Sequence, residues 1–277
     1  VMRSVTGDSV EDWAEVVRQA KIDVLTGPLV AELNRLVETA SSICHSDVRL
    51  RDHTVPALRD CFLELLIAAD RYRYYVIPGR PVPASSISGL TEIASTAQSH
   101  LPAERHATLE VLLDLLTGQE VGSAGKTTSA ERAELVIRFQ QVCGAVEAKA
   151  VEDTTFYRWS HLLSLCDVGS APYRFALSPA ELHAWLGRIA DRSPLTLNSL
   201  TTHDSKRSAD TRIAIAVASE YGPEWADLVD ALRKATATAR PPELDGRTEQ
   251  VLWQTLAGTW DKGPASSERL TQYLVKA

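Results

Sequence analysis

Apolar residues recur along the first half of this chain at helical spacing, and breakers cut the pattern into short segments. Val10, Trp13, Val17, Ala20 and Val24 follow Ser9, a helix-capping residue type, and the run ends at Gly27-Pro28. Leu29, Leu33, Leu36, Val37 and Ala40 repeat the spacing and predict a second helix. Pro56 stands near the start of 55–69, where its missing N–H costs nothing, and Leu58, Phe62, Leu65, Leu66 and Ala69 form the buried stripe. The cluster Ile77-Pro78-Gly79-Arg80-Pro81-Val82-Pro83 predicts a loop. Helices are predicted again over 88–97, 104–116 and 132–146, with a Gly-, Ser- and Thr-rich connection at 118–129 that marks a boundary near Gly125.

The pattern changes in the second half. Residues 148–151 are short and β-prone, and 194–202, with Leu195, Leu197 and Leu200, is the other strand candidate. Two short parallel strands flanking helices at 156–165 and 178–189 fit part of a barrel wall, though they do not close a barrel alone. Residues 209–219, 223–237 and 248–258 read as helix, interrupted by Gly222-Pro223 and by Arg240-Pro241-Pro242. No repeat of solenoid length is seen. The predicted fold class is mainly α with a few short strands.

Composition narrows the functional classes. A length of 277 residues suffices for one or two domains, and 44% hydrophobic with 23% charged residues suits an ordinary soluble globular chain. The net charge of −7, with basic residues interspersed among acids, argues against a nucleic-acid partner. No apolar run reaches the roughly 20 residues of a membrane span, and no secretion signal is seen, so no membrane partner is expected. Cys44, Cys61, Cys143 and Cys166 are widely spaced among apolar neighbours, without C-x-x-C or a zinc-like His spacing. They read as buried free thiols, which places the protein in a reducing cytoplasm and predicts no metal. Gly122-Ser123-Ala124-Gly125-Lys126-Thr127 lacks both the spacing and the preceding strand of a phosphate loop.

Candidate chemistry concentrates in Leu197-Asn198-Ser199-Leu200-Thr201-Thr202-His203-Asp204-Ser205-Lys206-Arg207-Ser208-Ala209-Asp210-Thr211-Arg212. An apolar stretch runs into a His-Asp pair and a helix start follows at once, which in a (β/α)-barrel is the catalytic rim. Asp204 and Ser205 are also ordinary helix N-cap types, and Asp210, Arg207 and Arg212 fit a solvated first turn. The crowding of His203, Asp204, Lys206 and Arg207 within five residues favours a site for a polar substrate.

These residues carry a resemblance. Thr202-His203-Asp204-Ser205-Lys206-Arg207-Ser208 resembles the fourth sequence block, T-H-D-T-K-R-S-E-D, of the maltooligosyltrehalose synthases, a branch of the α-amylase family. Val151-Glu152-Asp153-Thr154-Thr155-Phe156-Tyr157-Arg158-Trp159 and then Leu162-Leu163-Ser164-Leu165-Cys166-Asp167-Val168-Gly169 are similar to the family's V-E-D-T-A-F-Y-R-Y and L-L-S-L-N-E-V-G. Gln254-Thr255-Leu256-Ala257-Gly258-Thr259-Trp260 is similar to Q-T-L-x-G-x-W. Ser205 stands for Thr, Ala209 for Glu, Cys166 for Asn and Asp167 for Glu. The close resemblance runs from about residue 145 onward, with a looser likeness over 55–76.

The resemblance implies a helical insertion over 1–125, part of a (β/α)8 barrel over 126–220 and a helical C-terminal segment over 221–277. It implies an intramolecular transglycosylation that turns the reducing-end α-1,4 linkage of a maltooligosaccharide into an α,α-1,1 linkage. The family works with an Asp nucleophile, a Glu acid/base and a third Asp. Asp204 matches the third, and no block here matches the first two. The chain is therefore expected to be a piece of a longer enzyme, inactive alone, with the other carboxylates upstream of Val1 and an N-terminal barrel half as its partner. His203 would donate to a sugar hydroxyl. Lys206 and Arg207 would contact hydroxyls or hold carboxylates, with a structural ion-pair role standing beside that one.

Glu152, Asp153, Tyr157 and Arg158 are candidate substrate-binding residues, with helix capping as the alternative for the two acids. Phe156 and Trp159, at helical spacing, are expected in the core. No cofactor is implied. Two rival readings keep their place: another glucan hydrolase or transferase of the α-amylase family, and a non-catalytic helical interaction module.

Overall fold

The computed structural model describes residues 12–123, 130–260 and 267–276. The chain forms two compact units, one of residues 17–153 and one of residues 154–276 together with 12–16. The boundary expected at 125/126 lies outside the described residues. Ser9, expected as the first cap, also lies outside them. Asp12 fills that place, its carboxylate accepting from the Ala14 N–H at 3.0 Å at the start of α1 (Trp13–Thr26).

In the unit of 17–153 the predicted helical stripes find one another. α2 (Val30–His45), α3 (Val55–Ala68), α4 (Ala84–His100), α5 (His106–Thr117) and α6 (Ala130–Val146) follow α1, and α3 packs on α2, α4, α5 and α6. It starts where Thr54 accepts the Ala57 N–H, with proline in its first turn. Its Leu58, Cys61, Phe62, Leu65 and Leu66 are essentially inaccessible. Each large apolar side chain buried so completely contributes about 1.5–3 kcal/mol. Phe62 meets Phe139 of α6 with ring centroids 6.4 Å apart.

Three buried polar groups inside this unit find partners. Lys21, 3% exposed, pairs with Glu147 at 2.6 Å and donates to the Ala69 carbonyl. Gln140 accepts the Val76 N–H at 2.9 Å and returns its amide to the Val76 carbonyl at 2.8 Å. Buried Asp47 accepts from the Ser123 N–H (2.6 Å) and hydroxyl (2.7 Å), and a side chain on Gly122, at φ +79°, would strike its carboxylate.

The second unit holds α7 (Pro179–Arg192), α8 (Ala209–Val217), α9 (Gly222–Ala235), α10 (Gly246–Thr259) and α11 (Ser267–Lys276). Ser178 and Glu181 close a reciprocal capping box on α7. Gly258 allows close approach of α10 to α8, since a Cβ there would come within 2.7 Å of Ile215. Leu163, Ile215 and Val251 form one small core, and Val229 with Trp253 another.

Two predicted strands are absent, and the described residues contain no strand. Residues 148–151 continue α6 as part of a π-helical segment, Glu147–Thr155, because three of the four (Ala148, Lys149, Ala150) are good helix formers. Residues 194–202 are irregular, with Leu195, Leu197 and Leu200 exposed at 91%, 97% and 75%. An apolar run of this kind becomes a strand only when neighbouring strands take its backbone hydrogen bonds. The helix expected at 156–165 is likewise broken into a single turn, Phe156–Arg158, and a 3-10 turn, Leu163–Leu165. The Gln254 side chain takes the Ser160 carbonyl and the Leu163 N–H, both at 2.8 Å, in competition with helical pairing. All four cysteines are free and buried, and burial raises the thiols, Cys44 to about 11 and Cys61 and Cys166 to about 12. No helix among the described residues is long and apolar enough to cross a membrane.

Candidate functional site

The His203–Asp204 pair sits on a tight turn built from its own polar residues. The Thr202 N–H donates to the Ser205 hydroxyl at 2.9 Å, the Asp204 N–H to the Thr202 hydroxyl at 3.3 Å, and the Ser205 N–H to the Thr202 carbonyl at 3.2 Å. Such short-range bonds compete with helix formation and stop α8 from starting earlier. The helix begins instead at Ser208, whose hydroxyl accepts the Thr211 N–H at 3.3 Å. Ser208 is thus the N-cap, and Asp204 stands four residues before it with its side chain 68% exposed. His203 Nε2 lies 3.3 Å from Asp204 Oδ2, so ring and carboxylate present adjoining polar edges to solvent.

Beyond the turn, Arg207 is buried. Its guanidinium donates to the Leu163 carbonyl at 3.5 Å and to the Tyr273 hydroxyl, which ties the turn to the Leu163–Leu165 segment and to α11. Burial raises the Tyr273 hydroxyl above its usual range against the pull of Arg207, and the neighbouring Tyr157 pushes the same way as burial. Lys206 is half-buried.

Of the other predicted residues, Tyr157 and Arg158 lie in the single turn Phe156–Arg158, half-buried. Phe156 and Trp159 are core, where Trp13 meets Trp159 edge-on at 5.2 Å and His161 stacks on Trp159 at 4.0 Å. Glu152 and Asp153 belong to the unit of 17–153: Glu152 accepts from the Tyr72 hydroxyl, and Asp153 pairs with Lys149 at 2.6 Å. The structure therefore joins His203 and Asp204 in one turn, with Arg207 buried just beyond it, and sets Tyr157 beside Arg207's partner Tyr273. It describes Glu152 and Asp153 within a different unit.

Two supporting residues escaped sequence reasoning. Asp167, 3% exposed, forms an ion pair with Arg212 of α8 at 3.2 Å, and Arg212 also donates to the Leu200 carbonyl. Both residues lie inside segments singled out above, but their pairing is a property of the fold. Among the described residues no group of three or more His, Cys, Asp or Glu side chains is placed to hold a metal ion.

No family model matches the chain. Sequences from Mycobacterium tuberculosis, strains CDC 1551 / Oshkosh and H37Rv, each called "Putative maltooligosyl trehalose synthase", are 38% identical over 182 residues, covering 63% of this chain and 22% of theirs. The solved maltooligosyltrehalose synthase of Arthrobacter ramosus superposes with a TM-score of 0.76 at 30% identity, over 99% of this chain and 31% of that one. The chain is thus similar to one part of these maltooligosyltrehalose synthases. It spans between about a fifth and a third of the length of these relatives. A glycosyltrehalose synthase, DSM5389, at 24% identity and a TM-score of 0.69, shares the fold. The helical architecture is thus that of a helical part of the synthase fold.

Proposed function

We propose that this chain is the segment of a maltooligosyltrehalose synthase that supplies the third carboxylate, Asp204, to an intramolecular transglucosylation. The observation that carries this reading is the position of Asp204: Ser208 caps α8, so the exposed carboxylate four residues upstream is left for another task. In a retaining reaction the sugar passes through an oxocarbenium-like state between a nucleophile and an acid/base. A further carboxylate on the ring hydroxyls strengthens its hydrogen bonds as the sugar flattens, which binds the transition state more tightly than the ground state. His203 donates to a hydroxyl of the same ring. Lys206, Tyr157 and Arg158 border the substrate in this reading, with Glu152 and Asp153 as further contacts, and Arg207 holds the turn from within.

The maltooligosaccharide is the substrate, and the nucleophile and acid/base come from a barrel half outside residues 1–277. Residues 194–202 become a barrel strand when that half pairs with them, which would cover Leu195, Leu197 and Leu200. The parsing into a helical insertion (1–125), a barrel segment (126–220) and a helical C-terminal segment (221–277) belongs to the same proposal, as does a cytoplasmic location.

The test is Asp204→Asn in a synthase-length polypeptide carrying this segment. Amide and carboxylate have nearly the same size, so thermal stability holds while kcat drops on the order of 10²–10³-fold. Near-normal turnover would return Asp204 to a local structural role. The 277-residue chain by itself yields no trehalose-terminated product from maltopentaose, and robust product from it alone would overturn the reading.

A further inference from the structure

We propose that Asp167 and Arg212 form a clamp that positions the His203–Asp204 turn, an inference that rests on the role assigned to Asp204 above. Asp167 follows the Leu163–Leu165 turn, and its own geometry is fixed locally. Its Oδ1 accepts the Val168 N–H at 2.7 Å, its N–H donates to the Ser170 hydroxyl at 3.1 Å, and its carbonyl accepts the Ser170 N–H at 3.0 Å. The second carboxylate oxygen faces Arg212 Nε at 3.2 Å, where Asp167 is almost fully buried and Arg212 about three-quarters buried.

The other end of that guanidinium donates to the carbonyl of Leu200, three residues before His203. A second tie lies alongside it, the Ala209 N–H donating to the Thr201 hydroxyl at 3.1 Å. With Leu195, Leu197 and Leu200 exposed, this arm of the turn takes its place from hydrogen bonds rather than from packing. The opposite arm is fixed by Arg207 on the Leu163 carbonyl. Two arginines therefore strap both arms of the turn to residues 163–167, and Asp167 is the anion that fixes the Arg212 fork. A guanidinium serves because its extended planar cation lays its charge against the Asp167 carboxylate at Nε while a terminal N–H donates to the Leu200 carbonyl, whereas an ammonium is a single point charge. Asp167 and Arg212 are positioning residues and touch no substrate.

Arg212→Lys keeps a cation opposite Asp167 but gives up the simultaneous hold on Leu200, so it separates the clamp from the mere ion pair. In the 277-residue chain, amide hydrogen exchange at residues 200–204 accelerates in this variant while exchange in α10 is unchanged. In a synthase-length polypeptide carrying the segment, kcat falls on the order of 10²-fold with little change in KM, the cost of a misplaced catalytic group. Asp167→Asn gives the same loss, and combining the two adds nothing further. Unchanged exchange at 200–204 with kcat within about twofold of the parent would overturn the proposal, as would full additivity of the two substitutions. Asp204→Asn in the same polypeptide keeps the two ideas apart. If it leaves turnover intact, the assignment of Asp204 fails, while the exchange measurement still decides whether Arg212 holds the turn.

Discussion

The two compact units treat their apolar residues in opposite ways. In the unit of 17–153, α3 hides Leu58, Phe62, Leu65 and Leu66 among four neighbouring helices, while in the other unit α7 buries no residue at all and Leu195 and Leu197 stand almost fully in solvent. The first unit completes its own core, so the stripes written into its helices find answering stripes within the same unit, some of them as distant in sequence as α2 and α6. Among the described residues the second is held by small apolar clusters, by the aromatic group of Trp13, Phe156 and Trp159, and by polar clasps: Gln254 on Ser160 and Leu163, Arg212 on Asp167, and Glu249, 1% exposed, between Arg233 at 3.2 Å and Arg240 at 3.0 Å. Polar clasps specify geometry but add little net stability, since desolvation offsets much of their attraction. Under the proposed reading this is the expected division of labour, with one unit a closed helical insertion and the other half of an interface.

The largest expected effect falls on the closed core. Phe62→Ala removes a fully buried ring that packs on Phe139, and filled helical cores lose about 3–5 kcal/mol for such a truncation. Urea denaturation followed by circular dichroism should show that loss. A change below about 1 kcal/mol would mean that Phe62 does not sit in a filled core of the unit of 17–153.

A smaller effect probes the clasped unit at the start of α10. Asp245 caps this helix, accepting from the Arg247 and Thr248 N–H groups at 2.8 and 2.9 Å and from the Thr248 hydroxyl at 2.8 Å. Desolvation raises its carboxyl, yet these hydrogen bonds outweigh it and hold the group below the usual range. A folded-state value below the unfolded one gives stability that is complete above about pH 4–5 and lost as pH falls through the folded value. Asp245→Ala is expected to cost about 1 kcal/mol at neutral pH. Asp245→Asn, which keeps the cap without the charge, should lose the pH dependence and little else. Melts of the three proteins between pH 7 and pH 2.5 check this, and an Ala variant as stable as the parent at pH 7 would remove the cap from the account.

What could be read in the sequence follows the same divide. Helices over 55–69 and 132–146 were legible because their stripes and breakers are local, and the structure places them at Val55–Ala68 and Ala130–Val146. The capping box of α7 was half legible, since Ser178 was foreseen as a start. The strand at 194–202 was not realised because strand formation depends on a neighbour, which no local pattern contains. The cap of α8 was similarly hidden. Asp204, Ser205 and Ser208 are all capping types, and only the bonds within Thr202–Ser205 decide that Ser208 takes the task. Asp167 and Arg212 lie 45 positions apart in a chain full of acids and arginines, so their pairing had no local signal.

The smallest expected effect sharpens the comparison most, because it concerns a residue that sequence pattern marks as core and the fold leaves outside. Leu197→Ser removes an apolar side chain that is 97% exposed, so no burial energy is lost and no cavity is opened in the 277-residue chain. Substitutions of this kind stay within about 0.5 kcal/mol. What changes is the surface: with Leu195 and Leu200 the residue makes an exposed apolar run that favours self-association, and serine breaks it. Light scattering should therefore show less aggregation for the variant at an unchanged melting temperature. In a synthase-length polypeptide the same substitution should become costly, since a leucine that enters a barrel wall brings about 1.5–3 kcal/mol of burial with it. A residue that is neutral in the chain and destabilising in the longer protein is the signature of an interface between them. Equal behaviour in both settings would deny that residues 194–202 ever become a covered strand.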